Sequence, residues 1–409
     1  MYIERSVGHM VEENKYYIYA DRIILADEVV EKAYLEVKDG QFGYATLEKP
    51  LKGEVKDYTG YTVAAGLVDT HIHGFSGADV MDDDFEAVQT MSKGLPSTGV
   101  TAFLPTTLTS SADLLTSVAG KIGDHYEEAE GAKILGIFFE GPWFTEEHKG
   151  AQNPAYMGDP DLGQFEIWQS AAKGLINKIA LAPERKTAKA FTETITKEGV
   201  RVALAHSSAT YEEATAVVDA GANIFIHTYN GMSGLHHSNP GMVGAAMATD
   251  DTYAEVICDG KHVHPGATKA LVKAKGWDKT VLITDAMSAA GMPDGHYQLG
   301  EFPVIVKDGE ARLESGNLAG SVLTLIQAVK NVVEWGVVDS EHALRMASQV
   351  PAASVGLEDQ VGVIAPGRAA DFIVVDADMN LKETYLNGVS VFQAQAIAIK
   401  MNLCNGATI

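Results

Sequence analysis

Five short apolar runs in this chain each stop at a residue able to bind a metal ion. Leu67-Val68 leads into Asp69-Thr70-His71-Ile72-His73, and Ile134-Leu135-Gly136-Ile137-Phe138-Phe139 leads into Glu140. Val202-Ala203-Leu204-Ala205 stops at His206, Ile224-Phe225-Ile226 at His227, and Val281-Leu282-Ile283-Thr284 at Asp285. Strands of parallel barrels are buried on both faces and read as such runs, and catalytic groups sit where those strands end. One histidine after an apolar run is ordinarily packed or solvated. Five endings in the order His-x-His, Glu, His, His, Asp predict a metal-dependent hydrolase.

The spacing between the runs supports this frame. Helical periodicity covers 82–94, 111–122, 188–198, 211–220 and 264–275, then a stretch from Ser321 to about Gly336, then 340–350. Strands alternating with helices predict a parallel sheet, closed as a barrel in preference to open. A G-x-G-x-x-G after the first strand would favour a dinucleotide fold, and the chain has none there. The two ends have a different texture. Tyr16-Tyr17-Ile18-Tyr19, Arg22-Ile23-Ile24-Leu25 and Ala33-Tyr34-Leu35-Glu36-Val37 are β-type runs with a turn at Asp39-Gly40. Phe372-Ile373-Val374-Val375 and Leu381 to Leu386 match them, and Asn387-Gly388 is a strong hairpin signal. Neither end has enough strands to bury a face alone. The expected fold is therefore α/β: a (β/α)8 TIM-like barrel over 64–358, with a small β-sandwich domain built from 1–63 and 359–409. The 409 residues suit a barrel of about 250 residues plus such a module.

A hydrophobic fraction of 46% with 21% charged residues permits a sizeable core. A net charge of −24 without a basic patch excludes nucleic acid and anionic membrane as expected partners. It also means that an anionic substrate needs a local device to hold it. Two cysteines, Cys258 and Cys404, imply no disulfide framework. Residues 1–15 lack the apolar core of a signal peptide, so a cytoplasmic protein is expected.

His71 and His73 lie two apart, and alternate residues of a strand face the same way, so both imidazoles reach one ion. Glu140 follows a buried strand and needs a cation or hydrogen bonds. Imidazoles with one carboxylate suit Zn²⁺ or Fe²⁺ better than Mg²⁺ or Ca²⁺. One or two ions per subunit are expected. A metal acidifies the water it holds toward neutrality, so a carboxylate such as Asp285 can take its proton.

Gly66-Leu67-Val68-Asp69 before the His pair, and Gly367-Arg368-Ala369-Ala370-Asp371 near the end, resemble the amidohydrolase superfamily over nearly the whole chain. Many members bridge two metals with a modified lysine at the stage where this chain has Glu140; Lys133 sits at the start of that strand instead. Phe139-Glu140-Gly141-Pro142-Trp143 and Lys149-Gly150-Ala151-Gln152-Asn153-Pro154 look like the N-acetylglucosamine-6-phosphate deacetylases. That resemblance implies Glu140, His206 and His227 as one metal set and His71 and His73 as a second. It implies Asp285 as the proton carrier and His262, in Cys258-Asp259-Gly260-Lys261-His262, as the group polarising the acetyl carbonyl. Ala151, Gln152, Asn230, Gly231, His237, Ser238, Asp259, Leu318, Ala319 and Gly320 are the implied sugar-phosphate contacts. The implied partner is a phosphorylated amino sugar, and the implied assembly a homodimer.

One position departs from that family. Leu235-His236-His237-Ser238-Asn239-Pro240-Gly241 has Ser238 where relatives carry a phosphate-binding arginine, commonly acting across a dimer interface. His237, Lys261 or backbone N–H groups could take over, or the substrate could be an uncharged N-acetyl sugar. Three other readings stay open: N-acetylgalactosamine 6-phosphate as substrate, a cyclic amide such as a hydantoin, and a non-catalytic sugar-binding scaffold.

Overall fold

The computed structural model describes residues 14–395, and 1–13 and 396–409, with Cys404, lie outside the described residues. Eight parallel strands form its centre: Leu67–Ile72, Val100–Thr107, Ile137–Glu140, Ile176–Leu181, Arg201–Leu204, Ile224–Phe225, Tyr253–Ile257 and Thr280–Ile283. They pair in chain order, and the eighth returns to the first. The Asp285 amide donates to the His71 carbonyl at 2.9 Å, and the His73 amide to the Ala286 carbonyl at 2.9 Å. The barrel read from the alternation is therefore present.

Burial on both faces explains the apolar runs. Every residue of Val100–Thr107 is buried. In the third strand Phe139 faces out, its ring 5.3 Å from Trp168, while Phe138 faces in among Leu104, Ala180, Ala203 and Ile224. The two-residue period then aims Glu140 inward with Phe138. Strand termini thus become the site.

Seven helices fall where the spacing placed them, with shifted ends, from Phe85–Gly94 to Ser340–Met346. Thr210 and Glu213 form a capping box at the start of Tyr211–Val218. His264 caps Pro265–Lys275, its Nδ1 accepting from the Gly266 amide at 3.0 Å. One start is corrected: the helix expected from Ser321 begins at Leu325. Ser321 instead pairs with Ala286, and its hydroxyl donates to the Thr284 carbonyl at 2.6 Å. Helices Leu162–Ala171 and Gly241–Ala248 carried no clear period, the second because it is buried nearly all round. An antiparallel unit of Gly295–Leu299, Phe302–Lys307 and Glu310–Leu313, also unforeseen, follows the eighth strand.

Both ends of the described chain join one further sheet. Its order is Val389–Gln393, Leu381–Leu386, Phe372–Val375, Glu54–Ala65, Lys15–Ile24, Val29–Lys38 and Gln41–Thr46. The join is Phe372–Val375 against Glu54–Ala65, antiparallel, with Phe372 opposite Ala65. The hydrogen bonding is continuous, and the sheet folds over so that the Phe42 and Phe372 rings, from strands not adjacent in it, lie 6.0 Å apart. The expected sandwich is one folded sheet around its own core, including Ile18, Leu35, Val63 and Val374. Asn387 and Gly388, at φ 47° and 75°, make the tight turn their sequence predicts. Lys133 ties barrel to sheet: its Nζ meets Asp371 Oδ2 at 2.5 Å and Asn387 Oδ1 at 2.9 Å.

Candidate metal centre and active site

The strand-ending residues converge at the carboxyl end of the barrel. Glu140, His206 and His227 form one group whose candidate ligand atoms lie within 4.8 Å of one another, and His71, His73 and Asp285 form a second. All six side chains are buried. Glu140 faces both groups. Its Oε1 lies 3.2 Å from His227 Nε2, 3.4 Å from His206 Nε2 and 3.5 Å from His71 Nε2, and its Oε2 lies 3.2 Å from His73 Nε2. Asp285 Oδ1 sits 3.4 Å from His71 Nε2 and 3.1 Å from His73 Nε2. Asp285 thus joins the His71–His73 pair in space.

Each ring is turned the same way. The Nδ1 atoms meet Glu255 Oε2 (His71, 3.0 Å), the Thr106 carbonyl (His73, 3.1 Å), the His148 carbonyl (His206, 2.7 Å) and the Asn230 carbonyl (His227, 3.0 Å). Those acceptors put the proton on Nδ1 and leave Nε2 facing inward with a lone pair, the arrangement that orients a metal ligand. His71 Nε2 is buried without a hydrogen-bond partner. The charges point the same way. Burial opposes a charge on His71, yet Asp285 and Glu140 raise its pKa to about 9. Burial likewise opposes His73, and Asp285 and Glu140 hold it well above the ordinary imidazole range. Burial would raise Glu140, but the neighbouring His206, His227 and His71 rings hold it well below the usual carboxylate range. The pocket demands positive charge, and one or two divalent cations on these donors fit that demand.

Three of the ligand-group residues hold left-handed backbone: His206 at φ 45°, His227 at 30° and Asp285 at 49°. Such conformations cost about 1–3 kcal/mol each and persist where the surroundings over-determine them, as at functional sites. Gly231, at φ 59°, leaves room for His206; a Cβ there would lie 2.8 Å from the His206 Nδ1.

A cavity of about 420 Å³ opens over both groups, of a size for a sugar phosphate. Ala151, Gln152, Asn230, Gly231, His262, Leu318 and Gly320, all singled out in the sequence, line it. Asn230 Nδ2 is buried and unpaired there, a donor available to a ligand. His262 is held by Asp259, whose Oδ2 lies 2.7 Å from its Nδ1 and whose Oδ1 accepts from its amide at 2.8 Å. Burial acts to raise Asp259, but the contacts with His262 lower it. Asp259 is thus a brace for His262 and does not line the cavity. Gln152 reaches the metal group, donating to Glu140 Oε2 at 2.7 Å while accepting from the Thr109 amide at 2.8 Å. Ala319 is buried beneath the cavity wall, its amide donating to the Ala311 carbonyl at 3.0 Å. His237 and Ser238 are exposed on a loop outside the lining; the Ser238 hydroxyl and His236 Nδ1 are 2.9 Å apart.

Sequence reasoning missed Glu255 and Lys178. Glu255 sits inside the seventh strand and Lys178 inside the fourth, both fully buried and paired with each other. Lys178 also donates to the Thr70 carbonyl at 3.2 Å and lies over the Phe138 ring. Removing one partner of such a pair costs roughly 3–5 kcal/mol, so Lys178 fixes Glu255, and Glu255 fixes His71. The available signal was a charged residue at an inward position of an otherwise apolar run.

A closed parallel barrel with two imidazole–carboxylate groups at its strand ends defines a class: enzymes that hold metal ions at the mouth of a barrel. The amidohydrolase family pattern matches residues 62–408, and the chain belongs to that family. It is 41% identical to the N-acetylglucosamine-6-phosphate deacetylase of Vibrio furnissii, over 83% of this chain and 85% of that one. It is 35% identical to the N-acetylgalactosamine-6-phosphate deacetylase of Escherichia coli O157:H7, over 90% and 97%. The structure of N-acetyl-D-glucosamine-6-phosphate deacetylase from Mycobacterium smegmatis, in complex with N-acetyl-D-glucosamine-6-phosphate, superimposes with a TM-score of 0.88 at 28% identity, covering 92% and 99%. Among the described residues no helix is long and apolar enough to cross a membrane.

Proposed function

We propose that the chain hydrolyses the acetamide of N-acetylglucosamine 6-phosphate, giving glucosamine 6-phosphate and acetate. The observation that carries this reading is the pairing of the metal groups with Asp285 and His262 around one cavity of sugar-phosphate size. Similarity to deacetylases of that substrate, extending over most of both chains, supports it. A zinc or iron ion on Glu140, His206 and His227, with or without a second on His71 and His73, would polarise the amide carbonyl and acidify water. The protein's own groups do the rest. His262, braced by Asp259, stands at the carbonyl and orients it for attack. Asp285 takes the proton of the attacking water and returns it to the departing amine. Asn230, with its unpaired Nδ2, holds the sugar. The proposal includes a cytoplasmic homodimer.

The C4 epimer, N-acetylgalactosamine 6-phosphate, is a second reading, favoured by the Escherichia coli relative. Acetate release measured as kcat/KM on both phosphates and on unphosphorylated N-acetylglucosamine tests all three. The highest value is expected on N-acetylglucosamine 6-phosphate. Equal or better activity on the free sugar would sink the phosphate assignment.

A further inference from the structure

Ser238 stands where the resemblance read from the sequence implies a phosphate-binding arginine, and its loop lies outside the cavity. In a chain of net charge −24, a phosphate still needs a cation. Among the described residues lining the cavity, Arg312 is the only lysine or arginine. It comes from Glu310–Leu313, the last strand of the antiparallel unit after the eighth barrel strand, and faces the same cavity as His262 and Asn230.

Arg312 is held in place. Its Nε and Nη2 both contact Glu310 Oε2 at 2.8 Å, and its Nη1 donates to the Gly316 carbonyl at 2.6 Å. A guanidinium has five N–H donors, so these three contacts leave one on each terminal nitrogen. Such a pair matches two oxygens of a phosphate. Glu310 does not neutralise the corner. Lys261, next to His262, reaches its Oε1 at 3.0 Å, so two cations share one carboxylate. Arg312 and Lys261 together outnumber Glu310 by one charge where they meet at the mouth of the site.

We infer that Arg312, ordered by Glu310 and Gly316 and backed by Lys261, binds the substrate's 6-phosphate in cis and replaces the arginine missing at Ser238. The inference rests on the deacetylase reading above. It makes Arg312 a specificity residue with no part in the chemical step.

The test is steady-state kinetics of the metal-loaded enzyme, wild type, Arg312→Met and Arg312→Lys, on N-acetylglucosamine 6-phosphate and on N-acetylglucosamine. Arg312→Met should raise KM for the phosphorylated sugar by roughly tenfold or more while kcat stays within about threefold. Its kcat/KM on the free sugar should not move, and Arg312→Lys should recover part of the lost affinity. An equal loss on both sugars would show that Arg312 only holds the Gly316 turn, and would overturn the inference. So would a phosphate preference that survives Arg312→Met. A wild type with no phosphate preference removes the deacetylase-of-phosphate reading itself, a failure visible before any variant is made.

Discussion

Asp285 shows how one residue combines position, strain and charge. Its backbone is left-handed, and its amide bonds the His71 carbonyl at 2.9 Å, closing the barrel. Burial alone would raise its carboxyl, but His71 and His73 bring it down to about 2. It is therefore ionised at neutral pH, the state a proton acceptor needs. Asp285→Asn keeps shape and amide while removing basicity, and should lower kcat by about 100- to 10,000-fold. Metal analysis should still find an ion on Glu140, His206 and His227. A kcat above about a tenth of wild type would remove Asp285 from its assigned role. At this scale the sequence was most legible where a ligand ended a strand, because barrel geometry brings strand ends together whatever lies between. It was least legible for Lys178 and Glu255, whose pairing across the barrel interior depends on the register of two distant strands.

Among elements, the short turn Val80–Asp82 illustrates a cap built under desolvation. Asp79 accepts from the Met81 amide at 2.8 Å, and its own amide donates to Asp82 Oδ2 at 2.9 Å. Its other oxygen, Oδ2, is buried with no hydrogen-bond partner. Burial raises the Asp79 carboxyl from 3.8 to about 6, the Met81 amide opposing. A folded-state pKa above the unfolded one means that the folded protein binds the proton more tightly. The charged form then weakens the fold above about pH 6, and that cost fades as pH falls toward 4. Asp79→Asn keeps the acceptor and removes the charge. Its unfolding free energy should exceed wild type by about 1–3 kcal/mol at pH 8 and match it near pH 4. A gap of the same size at both ends would refute the burial account. Elements with local chemistry were legible, such as the Asn387-Gly388 turn. The Ser321 start was not, because Ser321 is captured by Ala286 and Thr284, partners far away in sequence.

For the whole molecule, the decisive fact is that an acidic chain gathers two carboxylates and four imidazoles at one buried point. Without a cation, Glu140 and Asp285 draw a proton onto the neighbouring rings, which is why His71 rises to about 9 and His73 well above its ordinary range. A bound metal supplies that charge instead and stabilises the fold by mass action, about 4 kcal/mol when its concentration is 1,000 times Kd. Chelation should therefore lower Tm by roughly 5–10 °C, and added zinc should restore it. The gap should depend on pH with a definite sign. A histidine raised in the folded state contributes stability below its folded pKa and loses it as pH rises through that value. Protons thus stand in for metal near pH 6, where they also compete for the Nε2 atoms, and cease to do so toward pH 9. Thermal scans of chelated and zinc-loaded protein at fixed scan rate should show a Tm difference that widens from pH 6 to pH 9. A difference that stays constant or narrows over that range would mean that the six side chains do not share one charge requirement, and the two-group metal centre would have to be abandoned.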